Sequence, residues 1–228
     1  MPSPADTHLV LQARLRGALG RMVGAAWAGL PGHDRADVDE WLATVLPLVA
    51  EAQRQSVALT DAYVARVLGR APLGLDASTV VGAAVRNGAD PAVVYHRPFV
   101  QMWQRLGEGV PFEDALQQGR NRAVSTAEMD VQLAHRAAYD AIQDADPMVR
   151  GWRRRASASA CEFCRAVNGA FVKRASAMAL HNHCSCGLEP ELREADPSPV
   201  PEGVAVHTHG ELGPVLAASG DKFTGPDF

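Results

Sequence analysis

Residues 34–70, DRADVDEWLATVLPLVAEAQRQSVALTDAYVARVLGR, decide the fold class. Val38, Trp41, Leu42, Val45, Leu48 and Val49 recur at intervals of three and four, the spacing that gathers apolar side chains on one face of a helix. Asp34 is a good N-cap, because its carboxylate can accept from the unpaired amides of the first turn. Pro47 should kink the helix, since proline removes a donor and crowds the preceding turn.

The same period extends on both sides. Upstream, residues 9–30 (LVLQARLRGALGRMVGAAWAGL) carry Leu9, Leu11, Leu15, Leu19, Met22, Val23 and Trp27 as a broad stripe. Downstream, ASTVVGAAVRN reads as a shorter helix ended by Gly88, and residues 90–109 as a helix with an interruption at Pro98. Residues 111–146 are helical again. Ser125-Thr126-Ala127-Glu128 resembles a capping box, a mark of a helix start, and Pro147 closes the segment. Trp27, Trp41, Trp103 and His135 sit on apolar helical faces and are expected in the core. The expected architecture is therefore mainly α. An elongated multi-helix domain (1–150) precedes a small zinc-knuckle β-hairpin module (151–192) and an extended Pro/Gly-rich C-terminal tail (193–228).

The bulk numbers allow a soluble globular protein. The 228 residues are 47% hydrophobic and 21% charged, with a formal charge of −4. No apolar run is long enough to span a membrane, and the N-terminus shows no secretory signal pattern. Charge is unevenly placed. Arg150, Arg153, Arg154, Arg155, Arg165, Lys173 and Arg174 face only Glu162 within 150–174. A solvated face and a DNA-contacting patch, with Arg153, Arg154, Arg155, Lys173 and Arg174 as its candidates, both fit that run.

All four cysteines fall within 161–186, as Cys161-x2-Cys164 and Cys184-x-Cys186, with His181 and His183 before the second pair. Asn168-Gly169 lies between two short apolar runs, a strong hairpin signal that would bring the two pairs together. Paired cysteines on tight turns deliver the soft ligands that tetrahedral Zn²⁺ needs. Cys161 and Cys164 form the firm pair; the other two donors come from His181, His183, Cys184 and Cys186. With six donors, no position is left open for water, so a structural Zn²⁺ site is expected rather than a catalytic one. A disulfide framework would want a secretory signal, and a redox C-x2-C would want a helix after it, where a hairpin is expected.

Nucleophilic catalysis finds no foothold. His183 and Cys184 are adjacent and point to opposite faces of extended backbone. Ser157 and Ser159 lack an assignable base, and no G-x-S-x-G, H-E-x-x-H or phosphate-binding glycine loop occurs. His207 and His209 in the tail offer no defined site.

Trp152, Arg153, Cys161, Cys164, Gly169, His181, Cys184 and Cys186 together resemble the C-terminal signature of the phage Mu protein F-like (MuF-like) minor capsid, or head morphogenesis, family. The H-x-H-C-x-C form is most similar to members from phages of actinobacteria, although Asn182 and Ser185 stand where many relatives have proline and arginine. LTDAYVARVLG and STAEMDVQLAHRAAYDAI are similar to helices of that family. The resemblance implies a few-copy protein of the virion, at the portal vertex or capsid interior, assembled in the host cytoplasm. Its implied partners are the portal and the major capsid or scaffold protein, with DNA possible through residues 150–174. No membrane and no small-molecule substrate is implied. Relatives labelled capsid maturation protease make protease action on scaffold or capsid the alternative expectation, with no catalytic residue assigned.

Overall fold

A computed structural model describes residues 3–181, 184–192, 204–210 and 213–218. Five helices come first: α1 (Pro4–Ala28), α2 (Arg35–Val67), α3 (Ala77–Ala84), α4 (Pro91–Gly107) and α5 (Phe112–Ala145). A short strand β1 (Gly151–Arg155), the five-residue α6 (Glu162–Ala166), β2 (Phe171–Val172) and β3 (Gly187–Glu191) follow, and then β4 (Val204–His209) and β5 (Gly213–Ala218). The protein is mainly helical, with a small antiparallel sheet ordered β2-β1-β3.

Short polar side chains start the first four helices. Ser3, Asp34, Asp76 and Asp90 each accept from an amide of the first turn, and Pro4 and Pro91 sit where a missing amide hydrogen costs nothing. Asp34 and Asp37 form a reciprocal capping box, the start expected for the long second helix.

Three local expectations fail. α4 runs unbroken through Pro98. A proline inside a helix costs about 3 kcal/mol, but the same turns bury Val94, Tyr95, Phe99 and Met102 completely, and large buried side chains contribute roughly 1.5–3 kcal/mol each. Ser125 starts nothing; it lies buried in the middle of α5, which begins at Phe112 with Glu113 and Asp114 in its first turn. In α1, Leu9, Leu19, Val23 and Trp27 are buried while Leu11 and Met22 face out, so its apolar stripe is narrower than the sequence reading.

The core falls into two clusters joined by α2 and α5. The first holds Trp27, Trp41, Tyr95, Phe99 and Met102. Trp27 meets Trp41 edge-on at 5.3 Å between ring centroids and Phe99 at 4.7 Å. Gly119 makes this possible: a β-carbon there would sit 2.7 Å from the Trp27 ring. The second cluster contains Val64, Tyr139, Ile142 and Trp152 together with Cys164, Cys184, Cys186 and Leu188. Helical and cysteine-bearing segments thus share one apolar interior.

Within the C-terminal segment the described residues are not simply extended. β4 and β5 pair antiparallel from Val204↔Ala218 to His209↔Gly213, and the amide of Asn87 donates to the Gly210 carbonyl. His207 and His209 lie on β4.

Candidate metal centre

The second cysteine pair is held by its backbone. Arg16 on α1 donates to the Cys184 carbonyl, Gln132 on α5 to the Cys186 carbonyl at 2.7 Å, and the Tyr139 hydroxyl to the Leu188 carbonyl at 3.0 Å. The loop leading to His181 is clamped by the same helix. Asp140 accepts from the amides of Ala175 and Ser176 at 2.7 and 3.0 Å, Arg136 donates to the carbonyls of those two residues, and Gln143 donates to the Lys173 carbonyl. One face of α5 therefore fixes the chain on both sides of His181, at residues 173–176 and 186–188.

The first pair is placed differently from the sequence reading. Cys161 caps α6, its sulfur 3.5 Å from the Cys164 amide, so a short helix and not a strand follows. Gly169, at φ +80°, does turn the chain, and the Gly169 amide donates to the Arg154 carbonyl. The strand it opens pairs with β1, Trp152↔Val172 and Arg153↔Phe171, and not with the residues just before the turn. A local Asn-Gly signal marks a reversal; it cannot say which distant strand receives it.

Among the described residues, two groups of three donors share the Cys164 sulfur: one with Cys161 and His181, the other with Cys184 and Cys186. The His181 Nε2 lies 3.1 Å from the Cys161 sulfur and 3.0 Å from that of Cys164. The Cys164 and Cys184 sulfurs are 3.9 Å apart, and Cys164, Cys184 and Cys186 have all three sulfurs within 4.8 Å of one another. Zn–S bonds of about 2.3 Å in a tetrahedron set sulfurs about 3.8 Å apart, so the Cys164–Cys184 spacing fits that ion. The pair does start a short helix, the context a redox C-x2-C would want, but the His181 imidazole within reach of both sulfurs makes Cys161, Cys164 and His181 a group that could hold a metal. All four cysteines are free thiols. His183 lies outside the described residues.

Electrostatics favour negative sulfur here. Hydrogen bonds from Cys164 and Cys186 pull the buried Cys184 thiol well below the usual range, helped by the Arg154 guanidinium and His181, and the hydrogen bond to Cys184 pushes Cys164 up. Burial lowers Arg136 to about 10, which leaves it charged at neutral pH.

The basic run is largely engaged inside the molecule. Arg153 pairs with Glu191 at 2.6 Å, Arg155 with Asp6 at 3.0 Å, and Arg174 with Asp140 and Asp144 at 3.4 and 2.5 Å. Arg154 is buried, and Lys173 is exposed. Both readings of the basic run, a solvated face and a DNA-contacting patch, put Arg154 outside, although β-strand alternation carries the opposite signal: Arg154 shares a face with Trp152, which is fully buried. Arg16, Arg136, Gln132 and Tyr139 were missed altogether, because their partners lie far away in the chain.

Ser157 and Ser159 bring no nucleophile together with a base. The Ser157 hydroxyl meets those of Ser185 at 2.6 Å and Ser159 at 3.3 Å. A groove of about 800 Å³ between α1, α4 and α5 lies apart from the sulfurs and is lined by Arg21, Arg105, Arg120, Arg122, Glu108 and Glu128 among others. Among the described residues, no helix is long and apolar enough to cross a membrane. Comparison with family models, with curated proteins and with solved structures gave no match.

Proposed function

We propose that this chain is a structural minor capsid (head morphogenesis) protein of a tailed phage whose C-terminal segment is fixed to its helices by a structural Zn²⁺. The observation that carries the metal reading is that two donor groups, Cys161, Cys164 and His181 and Cys164, Cys184 and Cys186, meet at the shared, buried sulfur of Cys164. Those residues would hold the ion, and the ion would supply a cross-link between segments too short to fold alone. The assembly reading rests on the resemblance of the tryptophan–arginine, C-x2-C and H-x-x-C-x-C pattern to MuF-like proteins. The portal, major capsid or scaffold protein would be the partner, and the virion the destination. The buried setting of the cysteines supports a structural role over a maturation protease, and the internal ion pairs of Arg153, Arg155 and Arg174 weigh against a DNA-contacting face.

The metal reading is tested by elemental analysis of purified protein and by chelation. About one zinc per chain is expected by the tetrahedral donor count, and chelation should loosen residues 151–192 in hydrogen exchange while the α1–α4 signal persists. Protein free of stoichiometric metal overturns it. The assembly reading is tested by co-expression with the portal and capsid proteins of the same phage. Co-sedimentation with procapsids supports it; exclusion from them, or cleavage of scaffold abolished by one Ser or Cys substitution, overturns it.

A further inference from the structure

Arg154 is an unusual residue to find beside three cysteines, Cys164, Cys184 and Cys186. It is 4% exposed. Its Nη1 donates to the Ala179 carbonyl at 2.7 Å, and its Nη2 points at the sulfurs of Cys164 and Cys184, 3.2 and 3.7 Å away. Its Nε has no partner. Among the described residues no carboxylate reaches it, whereas Arg153 and Arg155, its neighbours on the outer face of β1, both find one. Burying an uncompensated guanidinium costs several kcal/mol, so the fold must place negative charge at the atoms Arg154 faces. Those atoms are sulfur.

We infer that Arg154 is the buried countercharge of a three-thiolate, one-imidazole metal centre formed by Cys161, Cys164, Cys184 and His181. The inference rests on the zinc reading and sharpens it. Charge decides between donor sets the sequence alone leaves open. Two thiolates and two imidazoles, as in Cys161, Cys164, His181 and His183, neutralise a divalent ion and would leave Arg154 unbalanced. Three thiolates leave one negative charge, which a single guanidinium offsets. Four thiolates leave two, and would omit His181, which touches both sulfurs of the first pair. Cys184 is the third thiolate because it receives the second N–H of the Arg154 fork and lies 3.9 Å from Cys164. Cys186 stands beside this set as a spare thiol. Arg154 is a positioning residue: its N–H groups hold two sulfurs in register and draw electron density from them, which should leave the bound thiolates poor nucleophiles.

The test uses the full-length chain loaded with Co²⁺ or Zn²⁺. The sulfur-to-cobalt charge-transfer intensity counts thiolates. Three are expected in the wild type, two in Cys184→Ser, and three still in Cys186→Ser. Competition with a chromophoric chelator should show Zn²⁺ affinity falling about 10–100-fold in Arg154→Met, the range seen when outer partners of metal ligands are removed. Arg154→Lys, which keeps the charge and loses the fork, should fall between. Alkylation of the zinc-loaded protein by iodoacetamide should quicken in Arg154→Met. Far-UV circular dichroism checks that each variant folds; if Arg154→Met does not, Arg154→Lys and the wild-type cobalt spectrum decide. Two thiolates in the wild type, or unchanged affinity and alkylation in the folded Arg154 variants, overturn the inference while the zinc reading stands. A wild-type protein that takes up neither metal overturns both.

Discussion

Around Trp41 the long helices meet through aromatic rings and aliphatic side chains, and one indole N–H to the Tyr95 carbonyl is satisfied at 2.8 Å. Around Cys164, further along the same helices, they meet through sulfur, guanidinium and imidazole. His8 and His135 contact each other at 2.8 Å, stacked among Tyr63 and Tyr139, and Gln12 bridges Ser56 and Thr60. The first region is held mainly by removal of apolar area from water, a non-directional force that needs no ligand, with one buried polar knot where the Tyr95 hydroxyl donates to Asp130, itself paired with Arg86. In the second, every polar group must keep its partner or pay desolvation. One end of the bundle is self-sufficient, and the other is conditional on its charge state and on the metal proposed for it.

The sharpest way to break this contrast is Cys164→Ser, which removes the sulfur common to both donor groups. With free zinc a thousandfold above its dissociation constant, loss of binding alone removes about 4 kcal/mol, and Arg154 also loses a sulfur partner. Denaturant titration with and without zinc should show the metal-dependent stabilisation vanish. Trp41→Ala should cost about 3–5 kcal/mol, and here the loss should be the same with zinc or with chelator. A metal-dependent loss would mean that the two regions are not energetically separate.

Acid distinguishes the two ends next. Burial lowers His8 to about 4 from the ordinary 6.5, and His135, desolvated beside His8 and Arg16, is lowered as well. The folded protein therefore keeps both neutral, while the unfolded chain binds protons below about pH 6.5. This part of the stability is intact above pH 6.5 and falls as the pH drops toward 4, by roughly 3 kcal/mol for His8. Urea titrations of the metal-free protein across that window should show His8→Gln reducing the proton uptake on unfolding by about one. The smallest effect belongs to the cap at the aromatic end: Asp34→Ala should cost about 1 kcal/mol, the same with zinc or with chelator, by urea titration at neutral pH.

How much of this was legible follows from the range of the forces involved. The 33-residue α2 and its cap are written locally, in the spacing of Trp41 and Val45 and in Asp34. The donor cluster was legible too, because metal ligands must be clustered by residue type. What escaped is non-local. Pro98 sits within a helix because Tyr95 and Phe99 are buried by partners from other helices. The Asn168-Gly169 turn serves β1, and Arg154 faces sulfur because Trp152 fixes the strand's inner face. The mainly α fold and the sulfur donors were readable; the identity of the groups that neutralise and aim those donors was not.

The grip of Arg16 on the Cys184 carbonyl joins residues 168 apart, and that of Arg155 on Asp6 joins residues 149 apart. Contacts of such separation form after the nearer ones have lowered the entropy of closing the loop. The sulfur end should accordingly be a late acquisition on the folding route, absent from the rate-limiting ensemble. Substitutions there, and zinc itself, then act on how fast the protein comes apart and hardly on how fast it assembles. That places the contribution of a bound metal in persistence: a clasp fastened last, governing lifetime.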